Sequence, residues 1–303
     1  MTTFCNKEVS FMHKRRGLFF QSLVLTLLLV LPMMGTVVFF ASQRTEQQQL
    51  RQAAAGQTQV SEPAGARNTH RLLLAVQAND PAFLLLRLDG PEQAVLFCAL
   101  PGELLLQAPA GTTTLSECYL AAGPARAAEL LGQTLGIAPD AYLAATAGTF
   151  ASIWGEDAVR FDTAAVLSED EREALHLADE TVVELTAEQS ADFLTRAAAL
   201  PEQTPAALAR TRGALWSAFF RQYPQRLAAL ADAVRGAGTQ TLTDLRAQDL
   251  YELEETLSWL SGATGYHVDY QSLALQQGAG GWQLTEEDQQ MIQTMLAGGT
   301  PVE

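Results

Sequence analysis

The chain has 303 residues, with 19 Lys and Arg against 34 Asp and Glu, a net charge of −15 and 48% hydrophobic residues. That acidity excludes an electrostatic nucleic-acid binder, which needs a basic footprint. Three cysteines are too few for a disulfide scaffold and too scattered for a zinc site.

The apolar excess is concentrated near the N-terminus. Between Arg16 and Arg44 lie 27 residues without one charge. About 20 apolar residues in a helix cross a hydrocarbon core of roughly 30 Å, so this run predicts a transmembrane helix over 17–42. It is longer than a secretory h-region. Phe39, two residues before Ala41, is a poor match for a small-x-small cleavage site, so the reading is an uncleaved anchor. Lys14, Arg15 and Arg16 precede the span and place residues 1–16 in the cytoplasm by the positive-inside rule. The expected location is therefore the cell membrane, single-pass, with the lipid bilayer as one partner and the C-terminal body extracytoplasmic. Residues 1–42 carry a net +3 and the remainder −18, which suits a body held away from an anionic membrane surface.

Residues 43–69 hold seven glutamines and few large apolar groups. They read as a stalk that cannot bury enough surface to fold alone. From residue 70 to 303 the pattern predicts one α/β body. RLLLAVQ, AFLLLRLD and AVLFCALP are three strands separated by the turn chemistry of NDP and GPEQ. Their near-continuous apolar character predicts a sheet covered on both faces. A helix is expected from Pro124 to Gly136, then a strand at AYLAAT, a helix near FASIWG and a strand at AVRFD, after which TVVELT leads onward. A helix is expected across 189–200. Two more fill 205–221 and 225–235, divided at Pro224. Leu250, Leu253, Leu257 and Leu260 recur at helical spacing, GYHVDYQSLAL alternates as a strand, and Thr285 with Asp288 opens the last helix as a capping box. Strands interleaved with helices define the fold class as α/β, a mixed central sheet with helices on both faces.

This order of elements resembles the LytR-CpsA-Psr (LCP) family of membrane-anchored cell-wall proteins. The segments LLLAVQ, AND, FLLLRLDGPEQAVLFCALPGELLL, TTLSECYLAAG, AELLGQTLGIAPDAYLAAT and FASIWGEDAVRFD follow the family's sequence of strands, loops and helices. RTRGALWSAFFRQ resembles its arginine-rich helix and TDLRAQDLYELEETL its late helix. The resemblance implies a tethered extracytoplasmic body that transfers a glycan polymer from a polyprenyl-pyrophosphate carrier to the cell wall. Arginines would clamp the pyrophosphate bidentately and aspartates would hold Mg²⁺.

At the positions that matter the chain departs from the family. Gln77 stands where the first strand ends in Asp. Ala78 takes the arginine place in the following loop, where only Asp80 matches. Pro101 remains in the Pro-Arg-Asp-Thr element, but Gly102, Glu103 and Leu104 replace the rest. The resemblance therefore leaves Asp80, Glu103 and Arg212 as catalytic candidates, with Asp80 and Glu103 as metal ligands and Mg²⁺ as cofactor if the protein is active. Arg210, Trp216 and Phe220 are the substrate-binding candidates. Each has a plainer reading. Asp80-Pro81 is an ordinary turn pair, and a lone Glu103 at a strand end is usually solvated. Arg210 and Arg212, two apart on a helix, cannot face one pocket. Trp216 and Phe220 suit a core as well as a groove for a lipid tail. Cys98 and Cys118 read as buried free thiols, a disulfide being the alternative. The lost arginines favour a pseudoenzyme: a binding or scaffolding module of the cell envelope whose partner is a polyprenyl-pyrophosphate-linked glycan or peptidoglycan. The alternatives are an active phosphotransferase and an interaction domain of unrelated α/β fold.

Overall fold

In the computed structural model the described residues are 65–109, 111–174, 181–186, 189–190, 205–237, 241–263 and 266–298. The expected membrane span over 17–42 lies outside them, as do the tail before it and the stalk up to residue 64. So does the helix expected across 189–200, apart from its first two residues. No described helix is long and apolar enough to cross a membrane.

The three apolar runs form strands β1 (Thr69–Gln77), β2 (Ala82–Asp89) and β3 (Ala94–Leu100), joined antiparallel by short turns. β6 (Ala141–Thr146) lies parallel to β1, and β10 (His267–Gln271) parallel to β3. The short β9 (Thr241–Thr243) closes the other edge, giving a six-stranded mixed sheet in the order β10-β3-β2-β1-β6-β9. Three two-stranded ribbons surround it: β4 (Leu105–Ala108) with β5 (Gly111–Thr114), β7 (Val159–Asp162) with β8 (Val182–Leu185), and β11 (Gln276–Gly278) with β12 (Gly281–Gln283).

Strand side chains alternate between faces, and both faces of this sheet are buried. Leu73, Ala75, Phe83, Leu85 and Cys98 pack under α1 (Leu115–Leu135) and α7 (Glu286–Ala297). Leu72, Leu74, Leu84, Leu86 and Phe97 pack under four other helices. These are α2 (Ala147–Trp154), α4 (Pro205–Gln222), α5 (Leu227–Ala237) and α6 (Ala247–Gly262). A seventh, short helix, α3 (Glu169–Ala174), sits beside α4. This is the mixed sheet with helices on both faces that the apolar runs imply.

One boundary differs from expectation. The helix assigned to begin at Pro124 begins at Leu115, behind a capping box in which Thr114 and Glu117 exchange hydrogen bonds. Gly123 interrupts it at φ +82°, a conformation that costs glycine little, and Pro124 starts the second half. Gly136 ends it in the left-handed region as expected. The free thiols Cys98 and Cys118 are both buried and unbridged.

The edge at β10 is closed by side chains. Arg221 Nε donates to Val268 O (2.7 Å), and the Tyr270 amide is taken by Asp269 Oδ1 (2.9 Å), which also meets Arg221. A blocked edge of this kind protects against strand addition by a second chain.

Candidate functional site

β1, β3 and β6 all end at one margin of the sheet, where open α/β sheets place their ligands. Asp80 lies in the turn from β1 to β2, and Glu103 in the turn after β3. Arg212 approaches from α4 on the face carrying Leu74 and Leu84. These three groups interact electrostatically with one another.

The turn bearing Glu103 is pinned at several points. Ser116 N donates to Gly102 O (2.8 Å), and Leu115 N to Leu104 O (2.8 Å), which ties it to the start of α1. Trp282 N donates to Glu103 O from β12 (2.9 Å). A Cβ at Gly102 would displace Ser116 Oγ, which a side-chain rotation can move aside, and come within 3.7 Å of Asp80 Oδ1. The position that carries arginine in the resembled family thus lies against the Ser116 hydroxyl. No local pattern in the sequence announces this contact.

Arg212 is 5% exposed. Burial drives its pKa down to about 10, against the opposing pull of Asp80 and then Glu103. Loss of hydration raises the pKa of Asp80, which Arg212 partly counteracts. Glu103, at the rim, is also raised, first by desolvation and further by Asp80. Two carboxyls and one guanidinium therefore share the site. Beneath Arg212 lies an apolar cavity bounded by Leu74, Val76, Leu84, Phe150 and Trp216. It offers about 20 Å³ to the centre of a water molecule, room for about one water.

The other candidates lie elsewhere. Arg210 turns away from Arg212 and pairs with Glu171 of α3. Phe220 stacks on Phe97 (centroids 5.8 Å) and on Trp216 (5.6 Å). Trp216 also meets Trp154 edge-on at 4.4 Å, and Trp154 stacks on Phe219. These rings form one buried aromatic cluster between sheet and helices, and only Trp216 touches the cavity.

Asp80 and Glu103 are the two carboxylates the site offers to Mg²⁺. Among the described residues no three His, Cys, Asp or Glu side chains gather into a metal-binding group. The two carboxylates at the site already face a cation. Magnesium held by so few carboxylates relies on waters and substrate phosphates for its remaining ligands.

The architecture is similar to that of LytR-CpsA-Psr proteins of known structure. No family model and no curated protein matches the sequence; the likeness is in three dimensions. TagT from B. subtilis superposes with a TM-score of 0.55 at 15% identity, over 78% of this chain and 93% of TagT. TagV from B. subtilis gives 0.51 at 13% identity, over 78% of this chain and all of TagV. A protein from Eubacterium siraeum described as a transcription regulator gives 0.56 at 15%, over 80% and 97%. TagT has also been solved bound to LI-WTA and to LIIa-WTA. At such identities the likeness shows a divergent LCP-like fold.

Proposed function

We propose that this is a membrane-anchored, extracytoplasmic LCP-like protein of cell-envelope biogenesis. It has given up catalysis and serves as a binding or scaffolding module. The observation that carries this reading is the charge balance at the sheet margin, where Arg212 is already met by Asp80 and Glu103. A pyrophosphate brings at least two further negative charges. Taking them out of water beside two carboxylates, with one guanidinium to share, costs several kcal/mol for each unpaired charge. Two features agree with it. The Ser116 hydroxyl lies where a side chain at 102 would start, and the apolar cavity under Arg212 has no room for a long isoprenoid tail.

The binding partner proposed is a polyprenyl-linked envelope glycan, by analogy with the WTA ligands of TagT. The uncharged run at 17–43 and the basic residues before it support the anchored, outward-facing topology. A second reading, an active Mg²⁺-dependent phosphotransferase, draws support from the convergence of Asp80, Glu103 and Arg212 on one margin. The test is direct. The full chain, reconstituted in vesicles with a polyprenyl-pyrophosphate glycan analogue, a cell-wall acceptor and Mg²⁺, is expected to release no polyprenyl monophosphate and to pass no glycan phosphate to the acceptor or to water. Turnover that disappears in Asp80→Ala establishes the second reading in its place.

A further inference from the structure

The chain enters the body through a one-turn 3₁₀ helix at Ala66–Asn68 that runs into β1. Its polar side chains are used on α6. Asn68 is 4% exposed and His70 9%. Asn68 Nδ2 donates to Thr256 Oγ1 (3.2 Å), and His70 Nε2 lies 2.9 Å from the same oxygen. Thr256 is itself fully buried and donates its hydroxyl proton to Glu252 O (2.8 Å). A hydroxyl has one proton and two lone pairs. With the proton given to Glu252, both lone pairs must accept, so His70 is the donor through Nε2–H and its Nδ1 carries no proton. The same turn is closed on itself by Gly65 N to Asn68 Oδ1 (2.9 Å). It is tied to the β2–β3 turn by Gly90 N to Asn68 O (2.9 Å), and Trp259 of α6 donates to Gly90 O (3.2 Å).

We propose that His70, Asn68 and Thr256 form an acid-released latch between the incoming segment, residues 65–70, and α6. The latch closes with a neutral imidazole and opens when that imidazole is protonated. The proposal is independent of what the sheet margin binds.

Geometry is the first support: a second ring proton, on Nδ1, would put a cation in a contact where His70 is 9% exposed and its hydrogen-bonded partner is a neutral hydroxyl. The electrostatics agree. Burial lowers the pKa of His70, and it outweighs every group that would raise it: Asp140 ahead of β6, the Glu252 carbonyl and carboxylate, and Asp249 on α6. The remaining charges nearby are paired among themselves. Asp140 is held by Arg71, Glu255 by Arg67 (3.7 Å), and on β2, where Leu88 stands opposite His70, Arg87 is held by Asp89. The sign follows. With a pKa lower closed than open, the latch is at full strength above the ordinary imidazole pKa of about 6.5 and weakens as pH falls below it.

The experiment is amide hydrogen exchange on the full chain in nanodiscs at pH 7.5 and 5.0, as protection factors. An open state with an ordinary imidazole favours opening by up to about 30-fold at pH 5.0. Protection at residues 66–70 and 252–259 should fall by up to that factor, while the amides of Leu72 to Leu74 keep theirs. His70→Gln can still donate to Thr256 but cannot titrate, so its protection should be the same at both pH values. Thr256→Val should be poorly protected at both. Undiminished protection of the wild type at pH 5.0, an equal loss in His70→Gln, or a parallel loss at Leu72 to Leu74 would each overturn the latch.

Discussion

Replacing Arg212 with methionine should make the protein more stable. The guanidinium is 5% exposed, and its pKa is pulled from the ordinary arginine range down to about 10 even with Asp80 and Glu103 beside it. At about 1.36 kcal/mol per pH unit, holding this charge in the fold costs on the order of 3 kcal/mol at neutral pH. Methionine fills much of the same volume with no charge to desolvate, and exchanges of this kind are often neutral or stabilising. Asp80 and Glu103 lose their counter-charge, but both have access to water and can rehydrate or protonate, which returns roughly 1 kcal/mol. The net expectation is a gain of about 2 kcal/mol. For a body of this size that is about 4–8 °C in Tm. Urea unfolding of the full chain in detergent, followed by tryptophan fluorescence, measures it. A loss of 2 kcal/mol or more in Arg212→Met would refute the reasoning, because Arg212 would then be a net stabilising group. Should the gain be found, Arg212 is a residue kept at a cost to stability, which is the mark of a functional position.

Other changes test the frame around the site. Trp154→Ala removes a ring packed between Trp216 and Phe219 and should cost about 3–5 kcal/mol in the same urea assay. Asp288→Ala strips one buried carboxylate from three amides, Ala274 (2.7 Å), Leu275 (3.0 Å) and Thr285 (3.0 Å); a loss of about 3 kcal/mol and early exchange of those amides are expected. Asp89→Asn leaves buried Arg87 with only the longer ion pair to the exposed Glu92 (3.5 Å) and should cost about 3 kcal/mol, read from thermal unfolding.

The sequence carried some of these features and hid others for physical reasons. β1, β2 and β3 were legible because a strand covered on both faces must be apolar throughout. β9 and the β4–β5 and β11–β12 ribbons were not. They are three or four residues long and mostly polar, and their pairing is decided by what the main sheet leaves at its edges. Pro124 does open a helical turn, but Gly123 joins it to eight earlier residues that a local reading cannot connect. The capping box at Thr285 was visible, whereas the second use of Asp288, holding Ala274 and Leu275, was not, since those amides lie more than a dozen residues away. At the site, the spacing of Arg210 and Arg212 required them to diverge without saying which turns inward. The signal was present four residues on: Arg212 shares a helix face with Trp216, which lies against the sheet.

Retention of the frame and alteration of the charge are separable outcomes here, and their separation bears on function. The frame is held by parts that have no chemistry: leucine-filled strands, an aromatic cluster under α4, capping boxes on α1 and α7. Nothing in those parts requires a cation at position 212. A fold selected only for stability would replace that guanidinium, and one still gripping pyrophosphate would surround it with others. Among the described residues, the charges that act on Arg212 are those of Asp80 and Glu103. Several other arginines among them are committed elsewhere, Arg71 to Asp140, Arg87 to Asp89, Arg210 to Glu171, Arg221 to Asp269 and Arg226 to Asp157. Arg212 is left facing two carboxylates of its own chain, which stand in the part a bound phosphate would take. A site balanced in this way from within favours ligands that are neutral or weakly anionic at the point of contact. On the reading proposed above, the hydroxyl-rich repeat of a glycan suits such a site better than a free pyrophosphate.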